Sequence, residues 1–180
     1  MESKTKKMVT VGMFCALAYI MTYVGRIPIV LFLKYDPKDI VVVIGGFVFG
    51  PFASFTISLV ASVAQMFTNS GTGILGCIMN IISSCSFACP AAFVHKRKPT
   101  FAHAVAGILC GWGCMVAVML LWNYLIAPFY MGYPREEIVK LLLPAFLPFN
   151  LIKGGINVLA TMLLYGPIKA IMRRSHFLDK

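Results

Sequence analysis

Lys153 interrupts a long apolar run, PFNLIKGGINVLATMLLYGPI, and asks more of its surroundings than any other residue in the chain. An ammonium at the centre of a lipid-spanning helix costs about 2.5–3.5 kcal/mol on insertion scales, so a buried polar site or a water-filled cavity must recover that cost. Asn150 and Asn157 stand at i−3 and i+4, which puts the three side chains on one helix face. Such a face can donate and accept hydrogen bonds toward a polar small molecule. Gly154 and Gly155 leave room for a ligand or a neighbouring helix to come close. The competing reading is a lysine that snorkels to the outer interface, since its helix starts near Ile138.

Asn123, in WNYLIAPFY, is the second candidate, an amide near the outer end of its helix that can both donate and accept. Trp122, Tyr124, Phe129 and Tyr130 crowd the same region. Each fits an aromatic belt at a membrane interface, and together with Phe32 and Tyr35 they would make an apolar slot for a flat ring system. Gly71, Thr72 and Gly73 form an outer turn whose backbone either closes over a ligand or simply joins two helices.

Other chemistries are poorly served. The six cysteines (Cys15, Cys77, Cys85, Cys89, Cys110 and Cys114) all lie inside apolar runs, so no secreted disulfide framework is implied. The i,i+4 pairs Cys85/Cys89 and Cys110/Cys114 lack acidic or histidine partners between them and read as packing residues rather than metal ligands. His95, His103 and His176 lie at or near the basic side, away from any nucleophile, so no metal site, cofactor or catalytic residue is expected. No phosphate-binding G-x-x-x-x-G-K-[ST] loop occurs, so an ATPase of that type would have to be supplied by a partner. No acid is expected in the middle of any span, which weakens a carboxylate proton relay.

The elements that position these residues follow from composition. The chain of 180 residues is 59% hydrophobic and 12% charged with a mean hydropathy of +0.85, too apolar for a water-soluble surface. Spanning segments must satisfy their own backbone, as helices or closed barrels. The apolar runs are longer than barrel strands and do not alternate, so an all-α integral membrane protein with a compact bundle of six transmembrane helices is expected. The spans are placed at 8–24, a short 37–49 capped by Asp36, 52–67, 74–94 with a kink near Pro90, 101–126, and 138–172 bent at Pro144 and Pro148. The first is expected to be retained rather than cleaved as a signal peptide. One domain over 1–180 is expected.

Orientation follows from the lysines and arginines. Ten of the sixteen gather with both termini and the 95–99 turn, and five (Arg26, Lys34, Lys38, Arg135 and Lys140) fall on the other side with Asp36, Asp39, Glu136 and Glu137. Both termini are therefore expected in the cytoplasm of a bacterial plasma membrane. The net charge of +10 then reflects topology and lipid rather than nucleic acid. Gly12-xxx-Ala16, Gly46-xxx-Gly50 and Gly107-xxx-Gly111 allow close helix contact, within the chain or with a partner.

KYDPKDIVVVIGGFVFGP, the NSGTG turn, WNYLIAPFY and PFNLIKGGINVLATMLLYGPI together resemble the riboflavin-specific (RibU-type) S components of energy-coupling factor (ECF) transporters, over nearly the whole chain. The resemblance implies a six-helix bundle that captures riboflavin from outside and docks on a transmembrane T subunit carrying two ATPases. By motif, Asn123, Asn150 and Lys153 resemble the polar residues that hold the ribityl chain and ring edge. Leu33, Lys34, Tyr35 and Asp36, with Gly71, Thr72 and Gly73, resemble the wall and lid around the ring. S components often dock through an Ala-xxx-Ala pattern on the first helix, where this chain has Gly12 and Ala16. The alternatives are an S component for another vitamin, a small intramembrane enzyme, for which no nucleophile–base pair is present, and a ligand-free assembly subunit.

Overall fold

Long apolar runs leave the backbone no solvent partner, and the computed structural model is accordingly helical almost throughout. It describes residues 4–25, 27–30, 33–69 and 73–174. The order is α1 (Lys4–Val24), β1 (Ile27–Val30), β2 (Leu33–Tyr35), α2 (Lys38–Phe49), α3 (Pro51–Asn69), α4 (Gly73–Arg97), α5 (Phe101–Met131), α6 (Arg135–Leu141), a π-helical turn (Leu142–Phe146) and α7 (Leu147–Arg174). The connection after α1 is in part an antiparallel ribbon, with Ile27 opposite Tyr35 and Pro28 opposite Lys34.

Five helical stretches are long and apolar enough to cross a membrane: Lys4–Val24, Pro51–Thr68, Gly73–Arg97, Phe101–Phe129 and Arg135–Ala170. The expected second span falls short of that length. α2 has 12 residues, about 18 Å of helix against a hydrocarbon core of about 30 Å. It is instead the most enclosed element, every residue from Lys38 to Gly46 being buried. A helix apolar on all sides belongs in an interior, and α2 packs against α1, α3, α4 and α7. Gly50, at φ +92°, turns the chain sharply, and Pro51 opens α3 with no N–H to lose.

The gap expected between the fifth and sixth spans is shorter than its residue types suggest. α5 continues through Pro128 to a left-handed Gly132 whose N–H returns to the Pro128 carbonyl. Only residues 132–134 are non-helical before α6, where Glu136 and Glu137 occupy the favourable N-terminal turn. The bend expected near Pro144 and Pro148 is a π-turn, closed by the Leu147 N–H donating to the Leu142 carbonyl. Two prolines four apart remove successive helical donors, and the widened turn absorbs the clash.

The small-residue pairs separate by environment. A Cβ on Gly111 or Gly107 would run into the backbone of Phe87 or Ala91, so this stripe seats α5 on α4 within the chain. Gly46 is closed off by Ser54 and Ala92 in the same way, whereas Gly12 has open space around it. The core is built from Val41, Val42, Val43, Ile57, Phe87, Ile108 and Met115 with several alanines. Large apolar side chains such as Phe52, Phe67, Leu159 and Leu163 point outward, the surface that lipid would cover.

Candidate functional site

Helical periodicity in α7 aims Asn150, Lys153 and Asn157 into the bundle, and all three are buried. Lys153 is 6% exposed, which excludes the snorkelling reading. Its cost is recovered by a residue that the charge count places on the outer side. Asp39, in the first turn of α2, is fully buried, and its Oδ2 accepts from Lys153 Nζ at 2.9 Å. Asp39 stands at the start of α2 and not in the middle of a span, yet it is fully buried because α2 begins inside the bundle. The polar site that Lys153 was expected to need is supplied in part by this carboxylate.

The carboxylate is shared. Ser84 Oγ donates to Asp39 Oδ1, and Asn157 Nδ2 donates to Oδ2 at 3.4 Å. Lys153 Nζ donates a second hydrogen bond to Ser83 Oγ at 3.0 Å, leaving its third N–H without a partner among the described residues. Tyr35, from β2, donates through its hydroxyl to Asn157 Oδ1 at 2.7 Å. Burial first, then the negative charges of Asp39 and Asp36, pushes the Tyr35 phenol up to about 12, so it remains a donor at physiological pH. Four elements (β2, α2, α4 and α7) thus converge on Asp39 and Lys153.

A second buried polar cluster adjoins it. Lys38, counted among the outer-side cations, is 1% exposed, and its Nζ donates to Ser62 Oγ at 2.9 Å and Gln65 Oε1 at 3.3 Å on α3. Asp36 Oδ1 accepts from the Lys38 backbone N–H and from Thr22 Oγ1, each at 3.2 Å. The first is an i→i+2 turn contact rather than the cap expected of Asp36, because α2 starts at Lys38 and its cap position is Pro37, which makes no side-chain cap hydrogen bond. Asp36 Oδ2 is buried and has no hydrogen-bond partner among the described residues.

The amides are placed one turn from their own carbonyls. Asn150 Nδ2 donates to the Phe146 carbonyl at 2.7 Å, at the end of the π-turn, and its side-chain oxygen is not engaged by any described residue. Asn123 is buried on α5, its Nδ2 donating to the Met119 carbonyl at 2.7 Å. Gly154 is the landing place of Trp112 from α5, so the room beside Lys153 admits a neighbouring helix rather than a ligand.

Of the residues named for the aromatic slot, Trp122, Tyr124 and Phe129 do not face one another, and the side chain of Tyr130 lies outside the described residues. Phe129 is exposed, and Tyr124 faces out under the Arg135 guanidinium at 5.4 Å. Trp122 packs on the core. Phe32 lies outside the described residues, as do Gly71 and Thr72, while Leu33 and Lys34 contribute backbone to β2 and Gly73 opens α4. Gly12 and Ala16 line an open groove of about 520 Å³ between α1 and α3, with Tyr19, Val60 and Ala64. At the far end of α2, His95 Nε2 meets Tyr165 Oη at 3.0 Å beside Phe47.

Sequence reasoning missed Asp39, Ser83 and Ser84. Two signals were present. A carboxylate directly precedes the run IVVVIGGFVF, and a Ser-Ser pair sits in the middle of the apolar α4.

Relatives share this architecture. A solved chain described as "Structure and mechanism of the S component of a bacterial ECF transporter" superposes with a TM-score of 0.77 at 25% identity, covering 99% of this chain and 100% of that one. The chain is 25% identical to "Riboflavin transporter RibU" of Staphylococcus aureus (strain TCH60), over 95% of this chain and 94% of that protein. It is 27% identical to "Riboflavin transporter FmnP" of Bacillus subtilis (strain 168), over 92% and 93%. Residues 6–165 match the family model described as "ECF transporter, substrate-specific component". The polar centre on Asp39 and Lys153 therefore sits in a transporter's substrate-binding subunit rather than an enzyme, and the chain belongs to the ECF transporter substrate-specific components.

Proposed function

We propose that this chain captures riboflavin from the extracellular side of a bacterial cell membrane and delivers it inward with a T subunit and two ATPases. It acts as one substrate-binding domain over 1–180, a six-helix bundle in which α2 is embedded, with both termini cytoplasmic. The excess of Lys and Arg near the termini and the 95–99 turn supports that orientation.

The observation that carries the substrate is the polar face of α7. Among the described residues, Lys153 has one N–H and Asn150 its side-chain carbonyl oxygen uncommitted, one turn apart. A flavin presents matching groups, with acceptors on the ring edge and hydroxyls along the ribityl chain. Both relatives named above carry riboflavin in their names. Asn123, the 33–36 segment and the 71–73 turn complete the site as side wall and cover. The groove at Gly12 and Ala16 receives the T subunit, because small side chains on an exposed helix let a partner helix approach closely.

Titration of riboflavin with the detergent-purified protein tests the substrate directly. Quenching of flavin fluorescence at micromolar protein is expected. Its absence, or equal competition by unlabelled thiamine, folate or biotin, refutes riboflavin as the ligand.

A further inference from the structure

The site lysine is held by a residue from a different helix, and this assigns a role to that residue. We infer that Asp39 is the positioning residue of the ligand site: its carboxylate fixes the Lys153 ammonium so that one N–H is left for the bound molecule. The inference rests on the riboflavin reading above, and goes beyond it by naming what orients the lysine.

Geometry carries it. A lysine side chain has four rotatable bonds and no intrinsic direction. Here its ammonium is pinned at two points, by Asp39 Oδ2 at 2.9 Å and by Ser83 Oγ at 3.0 Å. Asp39 is itself held. Ser84 donates to one oxygen and Asn157 to the other, while the carboxylate rises from the first turn of the buried α2. Asn157 passes the constraint to β2 through the Tyr35 hydroxyl. The result is a cation that is neutralised and oriented at once. The partners of Lys153 come from α2 and α4, while the uncommitted oxygen of Asn150 lies a turn away on α7 itself.

An alternative assignment for Asp39 is a purely structural one, a buried counter-ion that keeps the helices together. The two roles differ in how substitutions combine. If Asp39 acts on the ligand through Lys153, it has nothing left to position once the lysine is gone.

The experiment is a double-mutant cycle in the full-length, detergent-purified protein, read by riboflavin fluorescence quenching. Asp39→Asn keeps the shape and removes the charge, and is expected to weaken binding about 10- to 100-fold, the range for a hydrogen bond to a charged group. Asp39→Glu is expected to recover part of that loss. In a Lys153→Met background, adding Asp39→Asn is expected to change affinity by less than about 3-fold. Wild-type affinity in Asp39→Asn, or losses that multiply in the double variant, overturns the assignment.

A second readout needs no ligand. Acetylation by an N-hydroxysuccinimide ester, mapped by mass spectrometry, is expected to spare Lys153 in the wild type and modify it several-fold faster in Asp39→Asn. Equal labelling of Lys153 in the two proteins overturns the positioning role. A wild type that binds no riboflavin refutes the proposed ligand, while the labelling result still decides for or against Asp39.

Discussion

Replacing Lys153 by methionine separates a paired charge from an unpaired one. Methionine keeps the length and apolar character of the lysine stem, so the packing of that stem is largely retained. What changes is Asp39, which is fully buried and loses the ammonium that its Oδ2 meets at 2.9 Å. At 2.9 Å and an effective dielectric of about 20, the lost attraction is about 6 kcal/mol, and part of it is offset because the ammonium no longer has to be desolvated. Removing one partner of a buried pair costs about 3–5 kcal/mol in practice. For a chain of this size that corresponds to a fall in Tm of about 6–20 °C. Thermal unfolding of the detergent-solubilised protein, followed by fluorescence-detected size exclusion, measures it. The paired variant Lys153→Met with Asp39→Leu removes both charges, and its Tm is expected to return to within a few degrees of wild type. A single variant as stable as wild type, or a double variant no better than the single one, refutes the buried ion pair as the stabilising arrangement. A ligand-free assembly subunit with a snorkelling lysine predicts the opposite sign, because methionine would then relieve a cost rather than create one.

Asn150→Ala removes an amide oxygen offered to the ligand and is expected to weaken riboflavin binding by about 1–3 kcal/mol, measured by fluorescence titration, with membrane insertion unchanged. Gly111→Ala drives a methyl into the Phe87 carbonyl and is expected to lower stability by about 1–3 kcal/mol. Gly113→Ala, two residues along with nothing within 4 Å, is expected to leave stability unchanged or raise it by up to about 1 kcal/mol, and Tm in detergent compares the two. Tyr35 sets an alkaline limit. An unfolded phenol releases its proton near 10.0, whereas the folded protein holds it to about 12, so the folded state binds more protons in that window and stability falls as pH rises through it. Tyr35→Phe is expected to lose the Asn157 hydrogen bond, about 1 kcal/mol at pH 7, and to show a shallower decline of Tm between pH 10 and 12.

The helices were legible because span length is a local property. Uninterrupted apolar runs marked α1, α3, α4, α5 and the 135–174 stretch, and Gly50-Pro51 marked the break after α2. Their ends were less legible, since Pro128 and Glu136-Glu137 have loop-forming character that the helices override. The inward face of α7 was legible for a related reason. Positions 150, 153 and 157 fall together on any regular helix, and a cation among them has to be compensated. The aromatic slot was read from proximity along the chain. Phe129 and Tyr124 show why that fails, because neighbours in sequence point to different sides of a helix.

By itself, the sequence determined that this chain crosses a membrane as helices, and that one helix carries a polar stripe needing a counterpart. Both follow from spacing within a single segment. The identity of the counterpart was decided only by the tertiary structure. Asp39 was counted with the outer side because it opens the 37–49 helix, yet α2 begins inside the bundle and takes the carboxylate with it. Asp39 and Asn157 are separated by 118 positions, and no local pattern encodes a hydrogen bond across that distance. Electrostatics explains why they meet. A buried ammonium and a buried carboxylate are each costly alone, and the packing of α2 against α4 and α7 is what lets each neutralise the other.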